Sequence, residues 1–322
     1  MKPANAFANA PLERRGELRK SRNDLSALLT KPDTRFLLVA AERNVIDAAS
    51  GKPILVDPEE LAALSDGLTH SIMLGEYQGS ALFVADLDNA SDELLASTLG
   101  ARTENLRTLG LRLSPEQASL AAYARAMVLW DRRHRYCGRC GGATASDEAG
   151  HVRRCINADC GNAMFPRVDP AIIVLVSDGE RALLGRQASW DPNRYSTLAG
   201  FVEPGESLEE AVAREVREES AIEVEMVDYH SSQPWPFPSS LMLGFVARAR
   251  TTSIQLLDGE LEHADWFSRN DIASRRIHLP FPVSISYRLI EDWYDGGEPG
   301  RMRADLDHSD AQTLKHDRDQ TG

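Results

Sequence analysis

Short apolar runs separated by polar turns mark the first third of the chain. Arg35–Ala40, Pro53–Asp57, Ser71–Leu74 and Ala81–Ala85 each read as a strand. The last two flank Tyr77–Ser80, whose Gln-Gly centre predicts a hairpin turn. No polar cluster in this region suggests chemistry, so it reads as a β-rich domain with a structural role. A helix follows. Ser114 caps it, Pro115 takes the first helical position, and Gln117 completes a capping box ahead of the run Ala118–Trp130. The pattern changes at Pro170. Ala171–Val176 is a continuous apolar strand, Ser177–Glu180 a turn, and Arg181–Gly185 a second strand. Further strands are expected at Glu223–Tyr229 and Leu241–Arg250, with helices at Ser207–Ser220 and Val283–Tyr294. Interleaved strands and helices predict an α/β sandwich.

The ends carry no such pattern. Residues 1–22 have alanine-rich and basic patches but no apolar core of a signal peptide, and read as a flexible tail. The stretch after Gly296 is polar and charged and reads as disordered. The resulting division is 1–22 tail, 23–130 N-terminal domain with its linking helix, 131–166 cysteine element, 167–296 α/β domain and 297–322 tail. No apolar run is long enough to span a bilayer, so no membrane is expected and the reading is a cytoplasmic protein.

Composition adds one exclusion. Of 322 residues, 42% are apolar and 26% charged, as in ordinary globular chains, but the formal net charge is −13. Nucleic-acid binding driven by phosphate contacts needs basic side chains, so such a grip would require a local basic groove.

The four cysteines sit together as Cys137-x2-Cys140 and Cys155-x4-Cys160, joined by a glycine-containing loop. Four thiolates so spaced satisfy tetrahedral Zn2+ and leave no open position, which makes a structural site. A redox pair and free buried thiols are the rival readings, and a zinc ribbon alone also fits a nucleic-acid or protein-binding module.

The most informative stretch runs from Gly200 to Ile222. Ser207 and Glu210 form a capping box, and Leu208, Ala211, Val212 and Val216 make the buried stripe. Glu215, Glu218 and Glu219 recur at i, i+3 and i+4, so three carboxylates share one helix face. A solvated acidic face is the bland reading. It loses here because a glycine-rich loop leads into the helix, Arg214 offers a cation to Glu206, and the carboxylates lie toward the helix end whose dipole disfavours them. Such a face makes sense with a hard divalent cation, Mg2+ or Mn2+, that takes oxygen ligands and bridges phosphates.

This stretch resembles the Nudix box, G-x5-E-x7-R-E-U-x-E-E-x-G-U with U aliphatic. Gly200, Glu206, Arg214, Glu215, Val216, Glu218, Glu219 and Ile222 match, and Ala221 stands where the family has glycine. That glycine ends the helix in a left-handed turn, which alanine adopts at a cost of about 1 kcal/mol. The resemblance implies hydrolysis of a nucleoside diphosphate linked to another moiety, with a metal-bound water attacking phosphorus. It implies that Glu215 and Glu219 ligate the metal, that Glu218 ligates through water or orients the nucleophile, and that the Ala199 carbonyl is a further ligand.

A second motif narrows the family. Ser232–Ser240 places Pro234, Pro236 and Pro238 around Trp235 and Phe237, a stiff extended segment with few backbone donors. Taken singly, either aromatic would be core filler. The whole resembles the S-Q-P-W-P-F-P-x-S signature of the NADH pyrophosphatase branch, which also carries a four-cysteine zinc element ahead of its Nudix domain. The expected fold is thus a Nudix α/β/α sandwich with a zinc ribbon and a β-rich N-terminal domain. The branch cuts NAD(H) to nicotinamide mononucleotide and AMP, and its members remove NAD caps from RNA. By the resemblance Gln233, Pro234, Trp235, Pro236, Phe237, Pro238, Ser239 and Ser240 line the substrate site. Phe201 faces the nicotinamide and Phe165 replaces a stacking tyrosine. Glu260 is a further metal ligand, and Ser286 contacts substrate through its backbone. Phe165 belongs to the zinc element and Phe201 to the Nudix domain, and in the family they meet across a homodimer. The alternatives are a Nudix hydrolase for ADP-ribose or dinucleoside polyphosphates, and a zinc-ribbon nucleic-acid-binding protein with an inactive Nudix domain. The proline-aromatic signature argues against the first, and the intact glutamates and negative charge argue against the second.

Overall fold

The computed structural model describes residues 4–64, 71–88, 90–257 and 259–308, with the side chains of residues 22 and 23 excepted. The chain divides into two compact units, Met1–Val168 with Pro234–Ser240, and Asp169–Gln233 with Leu241–Gly322.

In the first unit, strands β1 (Arg35–Ala40), β2 (Arg43–Asp47), β3 (Leu55–Val56), β4 (Ser71–Tyr77), β5 (Ser80–Asp86) and β6 (Ala101–Glu104) form a sheet of order β4-β5-β1-β2-β6, with β3 also on β1. The β1–β5 pair is parallel. The β4–β5 hairpin closes at Gln78 and Gly79, both at positive φ, as the Gln-Gly turn anticipated. Side chains alternate between faces. Phe36, Leu38, Met73 and Phe83 make one core, with Leu61 and Leu95 from α2 (Pro58–Ala62) and α3 (Asp92–Leu99), and α1 (Arg22–Leu29) packs on the same core. Leu37, Val39, Ile72, Leu74, Leu82 and Val84 make the other, under Leu120, Ala124, Met127 and Val128 of α5 (Pro115–Arg133). The capping box predicted at Ser114 and Gln117 is present. The short α4 (Leu106–Leu109) precedes α5.

Residues 4–20, read from the sequence as part of a flexible tail, are packed. Phe7 is 3% exposed, in a cluster with Leu106, Ala118 and Ala121, and its ring lies against Gly110. Glu13 exchanges both backbone hydrogen bonds with Glu76 at the edge of β4, at 2.8 and 2.9 Å. A single phenylalanine among alanines and asparagines makes no run of large apolar residues, so the sequence gives no sign that it is buried.

The cysteine element follows α5 as a three-stranded sheet, β7 (Thr144–Asp147), β8 (Val152–Cys155) and β9 (Ala163–Met164). Arg153 of β8 donates to both carboxylate oxygens of Asp131 of α5, at 3.0 and 3.2 Å, and both side chains are buried.

In the second unit, β10 (Asp169–Ser177), β11 (Arg181–Arg186), β12 (Leu198–Phe201), β13 (Val224–Trp235), β14 (Ser240–Ala249) and β15 (His263–Ser268) form a sheet of order β13-β14-β10-β11-β15, with β12 on β10. The tip of the β13–β14 hairpin, Pro234–Ser240, is grouped with the first unit. β10 is apolar on both faces because both are covered. Ile172, Val174 and Val176 meet Ala211, Val212 and Val216 of α6 (Leu208–Ser220). Ile173 and Leu175 meet Ile285, Leu289 and Ile290 of α8 (Ile285–Asp295), beyond the short α7 (Arg269–Ala273). The unit is therefore the expected α/β/α sandwich. Residues 301–308, read as part of a disordered tail, are helical: Met302 is buried, and the Asp295 carboxylate accepts from the Gly300 and Met302 N–H groups, both at 2.8 Å. The rest of that tail, 309–322, lies outside the described residues.

Candidate active site and metal centre

Helix α6 begins where its sequence says it should. The Ser207 hydroxyl accepts from Glu210 N–H and the Glu210 carboxylate accepts from Ser207 N–H. It ends at Ala221, in the left-handed conformation at φ 59°, where the family has glycine. The buried stripe seats α6 on the sheet and fixes which face carries the acids. Glu215 is mostly buried, Glu219 is 3% exposed, and Glu218 is exposed.

Arg214 organises the first turns. It donates twice to Glu206, at 2.6 and 3.0 Å, to Glu218 at 3.0 Å and to the Phe201 carbonyl at 2.9 Å, and pairs with Glu215 at 2.9 Å. The hydrogen bond from Arg214 holds the Glu206 carboxyl below the usual range, and that same bond raises Arg214. Glu215 moves the other way. Burial pushes its carboxyl up, the Arg214 guanidinium opposes this, and the charges of Glu218 and Glu260 add to the rise. Glu260 lies on the loop before β15, and its charge is the smallest of these contributions.

β12 supplies the floor. It pairs antiparallel with β10, Ala199 opposite Ile173 and Gly200 opposite Ile172. A methyl group on Gly200 would sit 1.9 Å from the Glu215 carboxyl carbon and Oε1. The carboxylate therefore rests on bare backbone, one residue from the Ala199 carbonyl. An all-oxygen donor set with a carboxylate destabilised by burial and by neighbouring acids fits a hard divalent cation. Phe201, the next residue, ends β12 with its ring 60% exposed.

The four cysteines converge. Their Sγ atoms all lie within 4.8 Å of one another, Cys137 to Cys160 at 3.9 Å and Cys140 to Cys155 at 3.5 Å. Tetrahedral Zn2+ with Zn–S of about 2.3 Å sets sulfurs about 3.8 Å apart, whereas a disulfide needs about 2.05 Å. The longer second spacing is accommodated by a turn in which Asn157 O accepts from Cys160 and Gly161 N–H. Backbone N–H groups of Arg139, then Cys140, lower the Cys137 thiol to about 6, whereas at Cys155 and Cys160 the Asn157 and Asn162 N–H groups are outweighed by burial and the neighbouring thiols, which raise both, Cys155 to about 12, so a cation is needed for all four to act as thiolates. Among the described residues these cysteines form the only such closed cluster; the acids of α6 are spread around the Arg214 guanidinium.

The remaining sequence-designated residues fall in distinct settings. Phe165, just past β9, is 62% exposed. Trp235 and Phe237 stack edge-on to each other and pack on Phe7, with ring centroids 5.0 to 6.2 Å apart. The guanidiniums of Arg107 and Arg125 lie 4.6 and 5.1 Å from the Phe237 centroid, and Arg125 also donates to the Pro236 carbonyl. Gln233 and Ser286 are fully buried and hydrogen-bonded within the second unit. The arginines around Phe237 and the packing role of Phe7 were not foreseen; their partners are distant in sequence, and no local pattern signals them.

A sandwich whose covering helix carries this acid face over a glycine floor defines a Nudix hydrolase. The NUDIX domain profile matches residues 166–288, the NADH pyrophosphatase-like rudimentary NUDIX domain matches 24–130, and the NADH pyrophosphatase zinc ribbon domain matches 132–165. The NAD-capped RNA hydrolase NUDT12 of Homo sapiens is 32% identical over 337 residues, covering 90% of this chain and 73% of that protein. The NAD-capped RNA hydrolase NudC of Stutzerimonas stutzeri is 39% identical over 218 residues, covering 68% and 75%. Nudix hydrolase 19, chloroplastic, of Arabidopsis thaliana is 49% identical over 164 residues, covering 49% and 37%. The chain belongs to the zinc-ribbon NADH pyrophosphatase family of Nudix hydrolases.

Proposed function

We propose that the protein hydrolyses the pyrophosphate bond of NAD(H) to nicotinamide mononucleotide and AMP, and that NAD-capped RNA 5′ ends enter the same site. The observation that carries this reading is β12, which puts the seat of a buried carboxylate and an exposed aromatic ring one residue apart, at Gly200 and Phe201. The names of the relatives support the choice of dinucleotide.

Glu215, Glu219, Glu260 and the Ala199 carbonyl would hold Mg2+ or Mn2+, with Glu218 beside them. Bound there, the cation neutralises the pyrophosphate oxygens and acidifies a water. The protein's own groups do the rest. Glu218, exposed on the acid face, would orient a water for attack and accept its proton as the new P–O bond forms and the bridging P–O bond breaks, the second mononucleotide departing with the bridging oxygen as its phosphate. Arg214 fixes Glu206 and Glu218, so the acid face keeps its shape with and without substrate. Phe201 and Phe165 offer flat apolar surface for the nicotinamide and the segment from Pro234 to Ser240 lines the substrate, while Gln233 and Ser286, expected there as well, are buried and support the site from behind.

The working form is a homodimer, with Phe165 of one protomer stacking opposite Phe201 of its partner. Tyr136, Ile156, Phe165 and Val168, on and beside the zinc ribbon, are all exposed, and their availability to an interface supports this. The cysteine cluster holds structural Zn2+, and its need for reduced thiols supports a cytoplasmic setting. No helix among the described residues is long and apolar enough to cross a membrane. The matching domain proposal is an N-terminal domain at 23–130 on which residues 4–20 pack, a zinc ribbon at 131–166 and a Nudix domain at 167–296.

The test compares kcat/KM for NADH, NAD+, ADP-ribose and NAD-capped RNA with Mg2+ and Mn2+, identifying products. Cleavage of NADH to the two mononucleotides at the highest efficiency is expected. A clear preference for ADP-ribose would replace this reading with the ADP-ribose one.

A further inference from the structure

Two buried polar side chains of the second unit, Gln233 and Ser286, connect the start of α8 to the residues that lead into β12. Gln233 has no exposed surface. Its Nε2 donates to the Val283 carbonyl at 2.7 Å, and its Oε1 accepts from Ile285 N–H at 2.8 Å. Those two backbone groups flank Ser284, whose hydroxyl caps α8 by accepting Ser286 N–H at 3.1 Å. One side chain thus grips the start of α8 from both sides. β14 also packs closely on the start of α8, since a methyl on Gly244 would come within 2.8 Å of the Ile285 side chain.

Ser286, 1% exposed, carries the connection onward. Its hydroxyl accepts from Thr197 N–H at 3.1 Å and from Thr197 Oγ1 at 2.8 Å, and lies 2.8 Å from Ser196 Oγ. A serine hydroxyl has one proton and two acceptor positions. Thr197 fills both acceptors, so the proton points to Ser196. The side chain's whole hydrogen-bonding capacity is spent on the residues that lead into β12. Ala199 and Gly200 follow two and three residues later.

We propose that Gln233 and Ser286 are positioning residues. Their relay, from Gln233 through the α8 start and the Ser286 hydroxyl to Thr197, sets where β12 stands, and so where the Ala199 carbonyl and the Gly200 floor meet Glu215. The inference rests on Ala199 and Glu215 being metal ligands. It gives the side chain of Gln233, the second residue of the S-Q-P-W-P-F-P motif, a task at the metal site, away from the substrate's rings. A relay in which every member is satisfied holds one geometry, whereas removing one member leaves donors stranded in a buried place.

The experiment uses the full-length protein and the variants Ser286→Ala, Thr197→Val and Thr197→Ser. Mn2+ binding without substrate is followed by the paramagnetic resonance signal of the free ion, beside kcat and KM for NADH. Ser286→Ala and Thr197→Val are expected to weaken Mn2+ about tenfold and lower kcat, with KM within twofold, while Thr197→Ser, which keeps the hydroxyl, restores both. Mn2+ affinity unchanged in Ser286→Ala, or a change confined to KM, overturns the relay. If Ser286→Ala does not fold by circular dichroism, the Thr197→Val and Thr197→Ser pair decides in the same terms. A wild-type protein that binds Mn2+ but leaves NADH intact refutes the proposed substrate alone, and the Mn2+ titrations still decide the relay.

Discussion

Replacing Gly200 with alanine adds one methyl group at the point of closest approach between β12 and α6. Gly200 lies in a strand at a backbone conformation open to any residue, so the change brings no torsional strain. The effect is purely spatial. The methyl would sit 1.9 Å from the Glu215 carboxyl carbon and Oε1 and 2.3 Å from Oε2, where real contacts do not fall below 3.0 Å, so the carboxylate must withdraw by about 1.1 Å. The helix cannot slide to absorb this, because Ala211, Val212 and Val216 are fully buried against the sheet. The side chain has to swing instead. A misplacement of about 1 Å at a reacting centre costs about 100-fold in rate, equivalent to about 2.7 kcal/mol of activation free energy. Gly200→Ala should therefore lower kcat/KM for NADH by about that factor, with weaker Mn2+ binding and a nearly unchanged thermal midpoint. Steady-state kinetics, a Mn2+ titration and a melting curve on one preparation check all three. Wild-type kcat/KM together with wild-type Mn2+ affinity would refute the cradle argument.

Three further outcomes follow from the same geometry. Glu219→Gln should lower kcat by about 100-fold or more with the fold intact, because it removes a charged ligand; mixed with Phe165→Ala, it should regain activity, since one of the two sites in each mixed dimer keeps both residues, and no rescue after verified subunit exchange would exclude sites completed in trans. Serine at Cys137, Cys140, Cys155 or Cys160 should release zinc and lower the thermal midpoint, measured by elemental analysis and calorimetry, since binding energy at a structural site is folding energy. Burial of the His151 ring, only partly offset by the Met73 carbonyl and reinforced by the Arg19 and Arg14 charges, pushes its pKa down to about 4. Between that value and the ordinary one near 6.5 the unfolded chain binds more protons, so this contribution is present above pH 6.5 and lost as pH falls. It should remove about 2 kcal/mol between pH 7.5 and 5, read from urea unfolding, and His151→Gln should flatten the slope.

The carboxylate helix was legible because everything that specifies it is local. The cap at Ser207, the box with Glu210, the apolar stripe and the acids all fall within one stretch, and Ala221 takes the left-handed turn that the family glycine occupies. The cysteine spacing was legible for the same reason. The N-terminal sheet was visible in part: the runs that became β1, β3, β4 and β5 read as strands, but Arg43–Asp47 and Ala101–Glu104 are too short and too polar to stand out. The proline-aromatic segment shows the limit most clearly. Its composition marks it as special, yet what its members touch depends on Phe7, Arg107 and Arg125 for the rings and on the α8 start for Gln233. Those are long-range pairings that no local pattern encodes. The Ser286 hydroxyl is a plain example, since nothing near it in sequence announces Thr197.

The buried Asp131–Arg153 pair has a consequence for how this sequence can drift over generations. Losing either partner alone strands a charge in a dry environment at a cost of about 3–5 kcal/mol, while exchanging both for well-packed apolar residues is close to neutral. The single-step neighbours of the present sequence are thus selected against, although a distant double replacement is acceptable. One residue lies at the end of a long helix and the other inside the zinc ribbon, so the two segments are tied as a hereditary unit. Descendants should retain both ionic side chains or neither, and a ribbon transplanted from a relative lacking the arginine should fail to dock until the helix aspartate is changed with it.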